Sequence, residues 1–189
     1  MRINGAAIAL ASLGVAAHSA VAQDQQPTKP VTTLECLGNL SGQGINAPDD
    51  VAIPAPSSGE TNTYTIDGNS LIASGGGTFA DTRLDLCKST STTYVYSNDC
   101  TANRHAYITD WLTATDLDSD TSPFFKKYKT SGYLLQTVVV DRVSLHLYDE
   151  TLTGYARTDY DKAKKKVSQK SFLVSISYDA GCKIVKPKI

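Results

Sequence analysis

The sequence is short of the residues that most often carry chemistry. It has three histidines, one methionine and one tryptophan in 189 residues. It contains no His-Glu-x-x-His pair for a hydrolytic zinc and no Gly-x-Ser-x-Gly elbow for a serine nucleophile. Its one glycine run, Gly75-Gly76-Gly77, is not followed by Lys-Ser/Thr or by a helical pattern, which excludes a phosphate-binding loop and favours a bulge or turn. Cysteines never stand two to four residues apart, so the close ligand pairs of structural zinc are missing. Past the N-terminus no apolar run approaches the about 18 residues of a membrane helix, so no membrane span is expected. Glutamate is nearly absent too: Glu35, Glu60 and Glu150 are the only ones, and the remaining acids are Asp. With abundant Thr, Ser, Gly and Tyr, that composition suits turns and strands better than helices.

What is present begins with a leader. Arg2 gives a positive start, Gly5 to Ala17 is small and apolar, and Ala20-Val21-Ala22 is a small-x-small cleavage site followed at once by polar Gln23-Asp24-Gln25-Gln26. Residues 1–22 therefore read as a signal peptide, and no cysteine flanks the cut to take a lipid. Residues 23–31 read as a flexible N-terminal arm, and 32–189 as a single β-rich domain long enough for a core of its own. The expected location is the periplasm or the extracellular space.

Export makes disulfides the natural use of Cys36, Cys87, Cys100 and Cys182. Four cysteines allow three pairings. Cys87 with Cys100 would tie the two sides of one hairpin. Cys36 with Cys182 would join the first and last strands, which suits a sheet whose ends must meet.

Short segments of period-two alternation recur about every ten residues, separated by turn signals. Thr33–Gly38, Thr61–Ile66, Leu71–Ala73, Leu84–Cys87 and Thr92–Tyr96 read as strands. So do His105–Leu112, Tyr133–Val140, Val143–Tyr148, Leu152–Arg157 and Phe172–Tyr178. Gly42–Gly59, with three prolines, reads as a loop, Asp149-Glu150 as a turn, and Phe124–Tyr128 as a short helical turn. Lys162–Lys166 falls in the turn between the last two strands. The expected fold is all-β, a single-domain antiparallel meander closing into a small disulfide-linked barrel or sandwich.

Candidate sites are few. Asp116-Leu117-Asp118-Ser119-Asp120 opens like a calcium loop, but Thr121 and Lys127 stand where that loop needs Gly and Glu. His105 or His146 could meet Asp110 or Asp141 in a hydrolytic site, although no catalytic residue can be assigned. Trp111, Tyr107, Tyr94 and Tyr96 are possible pocket aromatics, with core packing as the alternative use. No metal site and no cofactor is implied.

Charge is unevenly spread. From Gln23 to Asp161 there are nine basic and eighteen acidic residues; from Lys162 onward there are eight lysines and only Asp179. The basic end either satisfies the acidic body internally or faces an anion such as a phosphate or an acidic glycan. Nucleic acid is not expected for an exported chain with an acidic body, whereas a basic protein partner is electrostatically favoured.

The leader, Leu34-Glu35-Cys36-Leu37-Gly38, Tyr64-Thr65-Ile66-Asp67, the mid-chain cysteine pair, Asp141-Arg142-Val143-Ser144 and Gly181-Cys182 together resemble small, functionally uncharacterised exported proteins of proteobacteria. Leu145 stands where those chains carry Gly. The resemblance implies a small β-barrel-like fold and carries no catalytic residues. A fainter likeness is to periplasmic lysozyme inhibitors of the membrane-bound/C-type kind, with Ser74-Gly75-Gly76-Gly77 in place of their Ser-Gly-Ser-Gly-type loop. The function expected is a non-enzymatic binding protein of the bacterial cell envelope, its ligand or protein partner unknown. An envelope hydrolase or a structural surface protein without a ligand is the alternative.

Overall fold

The computed structural model describes residues 31–74, 82–114, 117, 122–128, 134–161 and 165–185. Eight strands follow one another: β1 Thr32–Ile45, β2 Ser57–Asp67, β3 Ser70–Ser74, β4 Arg83–Ser89, β5 Thr93–Ser97, β6 Leu134–Asp141, β7 His146–Asp161 and β8 Lys166–Val185. Each pairs antiparallel with the next, and β8 returns to β1 from Thr33↔Val185 to Ile45↔Leu173, so the sheet closes as a barrel rather than splitting into a sandwich. Cys36 and Cys182 lie directly opposite one another in that closing pair and are bonded; Cys87 and Cys100 form the second disulfide.

Alternation decides which side chains fill the barrel. Leu34 and Cys36 of β1, Tyr64 of β2, Tyr96 of β5, Val138 of β6 and Tyr178 of β8 point inward and pack together. Three tyrosines, each under 2 % exposed, occupy the interior. The small interior of an eight-stranded barrel is thereby filled by side chains.

The opposite face of β6, β7 and β8 carries a second apolar layer. Leu135, Leu152 and Leu173 point outward and are covered by Tyr107 and Trp111 of helix α1 (Arg104–Thr113) and by Phe124 of the short α2 (Pro123–Lys127). Segment His105–Leu112, expected as a strand, is therefore a helix. Asn103 caps it by accepting from the backbone N–H of His105 and Ala106. Tyr107 and Trp111, four residues apart, face the barrel together. Gly154 makes this contact possible, because a Cβ there would run into the Trp111 ring. The expected helical turn near Phe124 is present as α2.

Other boundaries differ from expectation as well: Val143 and Ser144, expected to open a strand, form the β6–β7 turn, and β7 starts at His146. β1 extends through Gly42 and Gly44 to Ile45, and the proline-containing connection folds back over its inner face. A Cβ at Gly42 would lie 2.6 Å from the Pro54 carbonyl oxygen, and one at Gly44 2.6 Å from Ile53 Cδ1. Asp149-Glu150 is not a turn: β7 runs straight through it, because β6 and β8 pair on both sides.

Candidate functional site

The β6–β7 region brings polar side chains to both faces of the barrel wall. Inward, Asp149 is fully buried. Its Oδ2 accepts from the Tyr64 hydroxyl at 3.0 Å, and both carboxylate oxygens accept from Gln136 Nε2 at 3.1 Å. Both donors are neutral. Burial pushes the Asp149 carboxyl up to about 7, outweighing the downward pull of the two donors. Burial, reinforced by the adjacent carboxylate, also raises the Tyr64 phenol far above its ordinary range.

Gln136 is held where β5 gives out. Its backbone N–H donates to Asn98 Oδ1 at 2.9 Å, its carbonyl accepts from Ser97 Oγ at 2.7 Å, and Asn98 Nδ2 donates to the Leu134 carbonyl at 2.9 Å. Side chains thus continue the β5–β6 ladder for another turn of the pleat. Thr151, opposite Gln136 in register, has a buried hydroxyl with no hydrogen-bond partner.

Outward, the same two strands and α1 form a groove of about 210 Å³, lined by Leu135, Thr137 and Val139 of β6, Tyr148, Glu150 and Leu152 of β7, and Arg104. Arg104 grips Glu150 as a fork, with Nε to Oε2 at 2.7 Å and Nη2 to Oε1 at 2.8 Å, and Ser175 Oγ donates to Oε1 at 2.7 Å. Burial works upward on the Glu150 carboxyl, but these bonds prevail and hold it below its ordinary value. The groove has an apolar floor, a fixed charged pair at one end and the half-exposed Tyr148 ring on its rim.

The four aromatics singled out in the sequence divide between the two faces. Trp111 and Tyr107 belong to the outer layer; the Trp111 ring meets Phe124 at 4.9 Å, and its Nε1 donates to the Phe172 carbonyl at 3.0 Å. Tyr96 is inside the barrel with Tyr94 beside it, ring centroids 6.1 Å apart, and the Arg142 guanidinium lies 4.5 Å over Tyr94. They do not line a common pocket.

The histidines are also apart. His105 is in the first turn of α1. His146 Nε2 meets Asp179 Oδ1 at 2.7 Å on the open surface, with half or more of each side chain exposed. Asp141 instead accepts from the backbone N–H of Val143 and Ser144 in the β6–β7 turn. Asp110 accepts from Lys127 Nζ at 2.5 Å and the Tyr128 hydroxyl at 2.6 Å, tying α1 to α2. Among the described residues, no group of three or more His, Cys, Asp or Glu gathers to hold a metal. Gly75–Gly77, Lys162–Lys164 and, except for the buried Leu117, the Asp116–Asp120 stretch lie outside the described residues.

The basic C-terminal segment is partly satisfied within the fold. Lys183 Nζ meets Glu35 at 2.9 Å across the closing strands, and Lys170 meets Asp159 at 3.5 Å. Asp149, Gln136 and the Arg104–Glu150 pair were not anticipated. One signal did exist for Asp149: it occupies an inward position in the alternation from Leu147 to Thr151, where period two asks for an apolar residue. Comparison with protein-family models, with curated proteins and with solved structures finds no match for this chain.

Proposed function

We propose that this protein is exported to the periplasm or beyond and acts there as a non-enzymatic binding protein of the bacterial cell envelope, seating its partner in the outer groove between α1 and the β6–β7 wall. The observation that carries the reading is the contrast between the two faces. Among the described residues the interior is packed with the buried rings of Tyr64, Tyr96 and Tyr178, which disfavours a lipocalin-type guest, whereas the groove outside is apolar, concave and rigid at one end. Two disulfides and the leader-like start support export. The acidic balance of the chain before Lys162 favours a basic protein partner, because opposite fields speed encounter.

A photo-crosslinking residue at position 148 tests this in cells. The expected adduct is a defined basic protein, diminished at least tenfold by Val139→Arg, which fills the groove, and weakened by 0.5 M salt. The same probe at Thr63, on another part of the wall, serves as the control. Equal adducts from both positions, or insensitivity to Val139→Arg, would overturn the groove as the binding site. Mass spectrometry of the exported chain should find Gln23 as its first residue.

A further inference from the structure

The closing seam of the barrel leaves one leucine bare. Side chains alternate along β1, so Cys36 points into the barrel and Leu37 points out. Leu37 is 61 % exposed and is the only exposed leucine among the described residues. Its cross-strand neighbours do not cover it: Gly181 stands opposite on β8 and Thr61 on β2. A Cβ at Gly181 would meet no described atom within 4 Å beyond its chain neighbours. Leu37 therefore borders a hollow of about 310 Å³, lined also by Glu35, Thr61, Gly181, Cys182 and Lys183. A knob and a hollow lie side by side on the β1–β8 seam.

The outward pairs on either side of them are complementary as well. Glu35 is opposite Lys183, Asn39 opposite Asp179, Ser41 opposite Ser177 and Thr33 opposite Val185. Glu35 and Lys183 meet at 2.9 Å, yet their side chains remain 42 % and 72 % exposed. Across the seam, no outward pair in this row sets like charges against each other.

We propose that two copies of this chain associate through the seam, about a two-fold axis running along it between β1 and β8. Such an axis sets each outward residue of β1 against the second copy of its own β8 neighbour, and the reverse contact forms with it. Leu37 then enters the hollow over Gly181 of the other copy. The two Glu35 and two Lys183 side chains become a square of alternating charge, and the Asn39 amide can donate to Asp179 across the interface. Charge complementarity is what selects a second copy. The row is balanced and matches itself, whereas a strongly basic or acidic partner would leave half of its charges opposed. The barrel wall is convex, so contact is confined to the seam. A transient dimer is expected, burying less than about 1,200 Å² in total and dissociating on the order of 10 μM. This goes beyond the groove reading and stands or falls separately from it, since Val139 of the groove is on β6, two strands away from β8.

Sedimentation velocity of the exported full chain, with both disulfides intact, tests the proposal. The parent should pass from monomer to dimer as its concentration rises through about 10 μM. Leu37→Asp should weaken the dimer about tenfold or more. Glu35→Lys puts four lysines in the square and Lys183→Glu puts four carboxylates there, so each variant alone should stay monomeric over that range. An equimolar mixture of these two variants should dimerise again, because every lysine of one chain then faces a carboxylate of the other. That rescue also separates a lost interface from a lost fold, which circular dichroism checks for each variant. Lys88→Glu, an exposed lysine on β4, and the groove variant Val139→Arg should leave the dimer unchanged. The proposal is overturned by a parent that remains monomeric at about 500 μM, by a dimer indifferent to Leu37→Asp, or by a mixture that stays monomeric. Loss of the dimer in Val139→Arg would assign association to the groove and overturn it as well.

Discussion

Asp149 is a carboxyl group inside a hydrophobic barrel, with only neutral donors around it. Its folded value of about 7 lies above the ordinary 3.8, so the folded state holds a proton that the unfolded chain has released over that interval. The contribution of Asp149 to stability is therefore greatest below about pH 4, falls as pH rises toward 7, and levels off above it. Three pKa units correspond to about 4 kcal/mol at most. Glu150, one residue on, works in the opposite sense: its lowered value adds stability at neutral pH that is lost as acid protonates it. Asp149→Asn removes the first effect and keeps the shape. The expected result is a melting temperature that rises at pH 8 relative to the parent and no longer declines between pH 5 and 8. A decline identical to the parent's would mean that Asp149 is charged without penalty and that water reaches it.

At the scale of elements, α1 depends on its cap and on one absent side chain. Asn103→Ala removes the acceptor for two backbone N–H groups and should cost about 1 kcal/mol in chemical denaturation. Gly154→Val should do more, since it places a branched side chain where the Trp111 ring sits. It should expose that sole tryptophan, read as a red-shifted emission, while far-ultraviolet dichroism still reports the barrel. The helix also marks how far local pattern could be trusted. His105 to Leu112 does alternate in places, but Tyr107 with Trp111 and Ile108 with Leu112 keep a spacing of four, and Asn103 stands at the cap. Period two and period 3.6 overlap over eight residues, and contact with Leu135, Leu152 and Leu173 settles the choice. The strands were legible because their alternation is longer and their turns are marked by Gly, Asn and Asp. The site was not, since Arg104 and Glu150 are 46 residues apart and meet only after β7 has formed. Asp149 was obscured by a different cause: an acid pair in a run of strand residues carries the composition of a turn.

For the whole molecule, the decisive event is the meeting of the two ends. β1 and β8 pair over thirteen positions although they are the first and last strands, so barrel closure must overcome the entropy of nearly the entire domain as a loop. The Cys36–Cys182 bond spans 146 residues and acts on that cost directly, whereas Cys87–Cys100 spans 13. The chain-entropy relation assigns about 5 kcal/mol to the long loop and about 3 to the short one. Their structural reach differs as well. The long bond stitches the closing seam from inside, with Cys36 fully buried. The short bond fastens β4 to the start of the segment that carries α1 and α2. Replacing Cys36 and Cys182 with serine should therefore lower the denaturation midpoint of the whole transition and slow refolding, because closure must then wait for a contact of long sequence separation. Replacing Cys87 and Cys100 should leave the barrel amides protected from hydrogen exchange while those of residues 101–113 exchange faster. The reverse pattern, a loosened barrel from the short bond and a loosened helix from the long one, would place the closing step elsewhere than at the β1–β8 seam.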